Sequence, residues 1–325
     1  MDFRLDDDQL ALQELIARFC TDRYPIDGFS QRPTTETLDR AAWHDLAELG
    51  VLSLLVSDVD GGLGLGVVEA AVVFEQLGKH LVPGPWDWSS AVAGLVDGVS
   101  EGRTVVGGVQ DHGGLAHLEH PHDLDALVAV RPDGIYLIES SELGPITDRD
   151  ALDPFHPVGT VEHLPAGRRL GGPDEAAAAT DLVTVLSAAT LLGIAQSALD
   201  VAVGYSLERH QFGVPIASFQ ALKHIMADMY VRVGLARSST YAAAAVLDDP
   251  VVGDRGRSVS AAKLLAGEAA LANARAAVQV LGGMGFTWDM PPNFLLKRAW
   301  ALEHRCGTGA EHAERLAAAV AAGVN

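Results

Sequence analysis

The chain has 325 residues, 48% of them hydrophobic and 20% charged, so it is long enough to bury a sizeable core and too apolar to be intrinsically disordered. Its 43 acidic residues outnumber 23 Lys and Arg, giving a net charge of −20. The resulting field repels phosphate backbones and anionic lipid, which argues against nucleic acid and membrane surfaces as partners.

In chain order, Asp6, Asp7 and Asp8 offer N-caps to a helix whose Leu12, Leu15, Ile16 and Phe19 recur at helical spacing. A second helix is expected from near Thr35 to Gly50, followed by an apolar run into the glycine-rich turn Gly61 to Gly66 and a helix around Val67 to Leu77. After about Glu101 the texture changes. Thr104 to Val106, Ala126 to Val130 and Ile135 to Ile138 read as short strands, with the turn Arg131-Pro-Asp-Gly134 between the last two. Pro154, Pro157 and Pro165 are expected to keep the following stretch irregular until about Gly172. From Asp174 onward helical periodicity returns over about 174–209, 219–248, 258–281, 292–303 and 308–322, and the short connections imply an antiparallel bundle. The uncharged run Leu182 to Leu199 has the length of a membrane span. Its Thr184, Ser187, Thr190, Gly193, Gln196 and Ser197 favour a helix buried within the bundle.

Cys20 and Cys306 make neither a CxxC pair nor a disulfide framework, which points to a reducing compartment. Charges at Asp2, Arg4, Asp6, Asp7 and Asp8 do not fit a signal peptide, so a cytoplasmic location is expected. His112, His117, His120 and His122 lie among Asp111, Glu119 and Asp123, but their spacing matches no common zinc motif; a solvated loop is expected and no metal site.

Two segments carry the chemistry. The first, Leu207 to Met229, runs from a charged helix end through Gly213 and Pro215 into a new helix; by itself it is a helix-turn-helix with a Ser cap. The second, Gln279-Val-Leu-Gly-Gly-Met-Gly-Phe286, stops a long helix at three glycines, as an ordinary helix C-terminus does. Taken together, Arg209, Phe212, Gly213, Phe219, Gln220, Ala227, Asp228 and Met229, then Gln279, Gly282, Gly283, Gly285 and Phe286, resemble the C-terminal helical domain of acyl-CoA dehydrogenases. Upstream, Gly61-Gly-Leu-Gly64 and Phe74-Glu-Gln-Leu-Gly78 are similar to that family's N-terminal domain.

The resemblance implies a mainly α fold with a small β middle domain: an N-terminal helical domain over 1–100, a reduced β domain over 101–172, and a C-terminal four-helix bundle over 173–325. It implies removal of hydrogen from the α and β carbons of a CoA thioester, the α proton going to a carboxylate and the β hydride to FAD. On that implication Arg209, Gln211, Phe212, Gln220, Gln279, Gly282, Gly283 and Thr308 contact flavin, with Arg209 pairing a pyrophosphate oxygen. An electron-transfer flavoprotein is the implied acceptor.

The chain departs from the family's pattern in two places. The family's commonest base is a Glu directly before a Gly-Thr, and here Cys306 precedes Gly307-Thr308; an alternative placement, counted back from Arg209, falls at Val183, followed by Thr184. Neither position has a carboxylate, so no catalytic residue is assigned. A thiol, with an ordinary pKa of ~8.5, is a poor base unless a cation lowers it. The Thr-Glu-Pro-like and Gly-Ser-Asp-like stretches that face the flavin ring are also missing between Glu101 and Gly172. With Gly285 to Asp289 and Gly307 to Glu311, this pattern resembles the glutamate-lacking subunit of actinobacterial α2β2 acyl-CoA dehydrogenases that degrade steroids such as cholesterol, in a β-oxidation type of sequence. The unlike partner would carry the catalytic Glu. Two other readings stand beside it: a self-sufficient homomer with an unrecognised base, and a non-catalytic stabilising subunit.

Overall fold

The computed structural model describes residues 4–33 and 38–323. Among these, α1 (Asp7–Arg23), α2 (Arg40–Glu48), α3 (Val67–Lys79) and α4 (Trp86–Val92) precede seven strands. These are β1 (Val106–Gln110), β2 (Ala116–Glu119), β3 (Ala126–Arg131), β4 (Gly134–Glu139), β5 (Thr147–Arg149), β6 (Val158–Val161) and β7 (Arg168–Gly171). Then follow α5 (Pro173–Glu208), the two-residue strands β8 (His210–Gln211) and β9 (Val214–Pro215), α6 (Gln220–Asp248), α7 (Arg255–Leu281), α8 (Pro291–Glu303) and α9 (Gly309–Gly323).

The chain divides into two compact units. One comprises Met1–Arg32, Ala71–Val82 and Val185–Asn325. Two of its helices begin on side-chain caps: Asp6 closes a capping box with Gln9 at α1, and Asp254 accepts from Arg257 N at α7. Asn273 on α7 donates to Ala195 O on α5 and to Met229 O on α6, so one buried amide ties three helices together. The short link between α6 and α7 makes them antiparallel. Where α3 meets α5, Gly78 lies against Thr190 and Gly193 against Glu75, so close that a Cβ at either glycine would overlap backbone.

The other unit comprises Pro33–Ala70 and Pro83–Thr184. It contains a four-stranded sheet in the order β1-β3-β4-β7 and a three-stranded sheet in the order β2-β6-β5. β1 and β3 pair in parallel, and the other pairs are antiparallel. Trp43 on α2 stacks on Trp86 on α4, with ring centroids 3.8 Å apart, and Trp88 covers Gly108 on β1, where a side chain would not fit.

The architecture is the expected mainly α fold with a small β region, and several local expectations are corrected. The stretch expected to stay irregular to Gly172 holds β6 and β7, whose pairing partners β2, β5 and β4 satisfy backbone groups that a local reading cannot place. Helix α4 was not expected. The start near Thr35 lies outside the described residues, and α2 begins at Arg40 on the Asp39 cap. Leu182 to Leu199 lies within α5, which is long and apolar enough to cross a membrane, yet 83% of its most apolar window is buried. Of the expected solvated histidine loop, His112, His117 and His122 are exposed, and the expectation is corrected at His120. His120 and His156 are buried, with Nε2 of the first 3.3 Å from Nδ1 of the second, where the pairing of β2 with β6 brings the end of one strand beside the start of the other.

Candidate functional site

The first turn of interest follows α5. His210–Gln211 pairs with Val214–Pro215, leaving Phe212 and Gly213 as a two-residue loop with φ of 54° and 82°. Positive φ at both central positions is what a tight hairpin demands, and Gly supplies it freely while Phe does not. The Phe212 ring is nevertheless 93% exposed, edge-on to Phe219 at 6.1 Å between centroids. A strained bulky residue that buries nothing in its own chain points to a contact made elsewhere.

The second turn ends α7. Gly282 has φ of 63°, and neither Gly282 nor Gly283 has any atom within 4 Å of where a Cβ would stand. These glycines are open surface onto which a flat group can settle. Continuing the α6/α7 pairing from Met229 and Asn273 toward the start of α6 brings Gln220 level with Gly282, so the two turns share one end of the helix pair.

The side chains of Arg209, Gln211, Gln220 and Gln279 are all exposed, and none makes a hydrogen bond or ion pair with another described residue. Helix α6 begins at Phe219 without a side-chain cap, so its positive end faces the same region. One cation, three amides, an uncapped helix start and two bare glycines form a donor set suited to a dinucleotide with a pyrophosphate and a flat ring. The residues fit FAD.

The third expected element is the turn from α8 to α9. Cys306 is buried, at φ of 56°, and its carbonyl lies 3.2 Å from His312 Nε2. Both carboxylates near it are committed to backbone amides: Glu303 accepts from Gly309 N at 2.7 Å and Glu311 from Thr308 N at 2.7 Å. The Thr308 hydroxyl also lies 3.1 Å from Glu311, so this expected contact serves as a helix cap within its own chain. On α5, Val183 and Thr184 are buried, and the Thr184 hydroxyl donates to Thr180 O. The sequence reading did not single out Lys263, whose 1% exposed ammonium sits beneath the α8 to α9 turn. In sequence it is one lysine in a helix, with no signal to distinguish it.

Residues 6–96 match the acyl-CoA dehydrogenase N-terminal domain and residues 176–321 the acyl-CoA dehydrogenase C-terminal domain. Over 295 residues, covering 87% of this chain and 88% of the relative, the sequence is 33% identical to acyl-CoA dehydrogenase IpdE2 of Mycolicibacterium smegmatis. The chain belongs to the acyl-CoA dehydrogenase family. Among solved structures it is similar to the ChsE4-ChsE5 complex from Mycobacterium tuberculosis, with a TM-score of 0.83 and 25% identity over 99% of each chain. It shares its fold with the Tcur3481-Tcur3483 steroid ACAD, with a TM-score of 0.85 and 22% identity over 98% of this chain and 99% of that one.

As an acyl-CoA dehydrogenase, the chain is an oxidoreductase whose family matches leave out the segment between them, and that segment holds the four-stranded and the three-stranded sheet. The two turns at the α6/α7 end fall within the C-terminal match. So does the turn that has Cys306 where the family's base is expected.

Proposed function

We propose that this acyl-CoA dehydrogenase chain is the base-lacking half of a heteromer that introduces an α,β double bond into a CoA thioester. One observation carries the reading. Position 306 is a buried cysteine, and the neighbouring carboxylates Glu303 and Glu311 are bound to the amides of Gly309 and Thr308. Freeing Glu311 would leave the Thr308 amide unpaired and freeing Glu303 the Gly309 amide, so on this reading the group that removes the α proton comes from an unlike partner.

When bound, FAD supplies the acceptor for the β hydride. This chain contributes position: Arg209 pairs a pyrophosphate oxygen, Gln211, Gln220 and Gln279 donate to polar edges, Phe212 covers an apolar face, and Gly282 and Gly283 admit the cofactor closely. Thr308, whose amide and hydroxyl are held by Glu311, is the further contact that the resemblance implies. The ChsE4-ChsE5 structure, a complex of two differently named chains, supports an unlike partner. The resemblance of Gly285 to Asp289 and Gly307 to Glu311 to the base-lacking subunit of steroid-degrading α2β2 enzymes is what supports a bulky, steroid-derived acyl group, cholesterol-derived in the fullest form of the reading. An electron-transfer flavoprotein as acceptor and a cytoplasmic location complete the reading.

The test is flavin stoichiometry in the assembled heteromer. One FAD per unlike pair is expected, and Arg209→Ala and Gln279→Ala should each weaken its retention by about tenfold or more, the scale of a lost charge-assisted hydrogen bond. Full FAD and turnover in both variants would leave this chain a scaffold only.

A further inference from the structure

Lys263 lies on α7 with 1% of its surface exposed. Its Nζ donates to Leu302 O at 2.9 Å, Glu303 O at 2.9 Å and Arg305 O at 2.7 Å. Three donors meet three carbonyls, so the ammonium is saturated by main chain at the negative end of α8. Burying a charge carries a large desolvation cost, and helices ordinarily end without it, through a glycine in left-handed conformation. After α8 ends at Glu303, the residue in left-handed conformation is instead Cys306 at φ of 56°, with Gly307 following at φ of 107°. The ammonium therefore does more than close a helix.

What it fixes is the path of residues 302–308. Its three carbonyls, at 302, 303 and 305, lie just before the point at which the chain enters the left-handed conformation of Cys306, a cost of about 1 kcal/mol for a residue with a Cβ. His312 holds the next carbonyl and Glu303 and Glu311 hold the amides that follow. We infer that Lys263 is a positioning residue: its ammonium, on the same helix that ends at Gln279 and Gly282, sets where residue 306 and Thr308 stand relative to the flavin-contacting turn. This rests on the proposed function only for what the turn is positioned toward. The clamp itself is a property of the chain alone.

The test uses Lys263→Met, which keeps the apolar stem and removes the donors. Both cysteines are buried, and burial pushes the Cys20 thiol on α1 up to about 12, so a thiol reagent at neutral pH reports local opening at Cys306 alone. In the variant, Cys306 should react about tenfold faster while Cys20 stays protected, with amide exchange faster by a similar factor at 304–309 and unchanged in α6. In the heteromer the same variant should change the visible flavin band shape. Wild-type reactivity at Cys306 together with wild-type exchange over the turn would overturn the inference. Should the variant unfold, exposing both thiols, nitrogen-labelled lysine spectra of the wild-type chain decide: one ammonium with slowly exchanging hydrogens is expected, and its absence overturns the inference. Loss of the band-shape change alone, with the thiol and exchange results as expected, would count against the flavin assignment and not against the clamp.

Discussion

Gly193 on α5 packs against Glu75 on α3 with no space for a side chain, because the backbones of the two helices meet there. Gly193→Ala should force the helices apart and destabilise the chain by about 3 kcal/mol in urea unfolding. Gly204, on the same helix with nothing within 4 Å of its Cβ position, is the control. Gly204→Ala should instead stabilise by roughly 0.5–1 kcal/mol through helix propensity.

Glu75 itself is buried, with Oε1 2.6 Å from Arg237 and Oε2 2.9 Å from the Tyr241 hydroxyl. Burial opposes the Arg237 charge, but the adjoining carboxylate more than offsets this and the guanidinium stays raised. Removing Glu75 leaves the buried Tyr241 hydroxyl unpaired, while Arg237, 38% exposed, keeps solvent and Gln196, so Glu75→Ala should cost about 2 kcal/mol. Glu75→Gln, which keeps the hydrogen-bonding shape, should cost less, and equal losses in the two variants would contradict the hydrogen-bonding argument.

Phe212 stores backbone strain and buries little, with φ of 54° and 93% exposure. Phe212→Gly should therefore stabilise the isolated chain by about 1 kcal/mol, since glycine adopts this conformation without strain. The same variant should weaken flavin retention in the heteromer. A stability gain with unchanged flavin retention would remove Phe212 from the site.

His312 is held at about 4, down from 6.5, by burial first and by Arg315 and Lys263 next, while its bond to the Cys306 carbonyl works the other way. The folded chain keeps this imidazole neutral, whereas the unfolded chain takes up a proton near 6.5, so the unfolded state binds more protons between these values. The contribution is present above about pH 6.5 and is lost as pH falls toward 4, amounting to about 3 kcal/mol over the interval. Urea midpoints of the wild type and His312→Gln, compared from pH 7 to 4, should converge as pH falls. Parallel curves would show that His312 does not titrate with folding.

The helices and the two glycine turns were legible because their signals are local: the Asp6 cap with Gln9, the apolar periodicity of α5, and the glycines at 213, 282 and 283. Strands β6 and β7 were hidden because Pro154, Pro157 and Pro165 flank four-residue segments whose only strand signal is a distant pairing partner. His120 read as solvent-exposed for the same reason, since its burial is set by His156, 36 residues away. At the site, the missing carboxylate at 306 was readable only against the pattern of the family the sequence resembles, while the capture of Glu303 and Glu311 as caps needed the fold. Lys263 was illegible because its three carbonyl partners begin 39 residues later. Thr308 was expected at the flavin, and its engagement by Glu311 shows that one hydroxyl can carry a local role that spacing does not reveal.

The central claim is that this chain contributes flavin contacts and no base. The most direct measurement is desaturation of a steroid-derived CoA thioester by the purified chain, supplied with FAD and an electron acceptor, before and after addition of an unlike subunit bearing a glutamate at the corresponding turn. The account predicts no product from the chain alone and turnover once the partner is added. Turnover by the chain alone would contradict it.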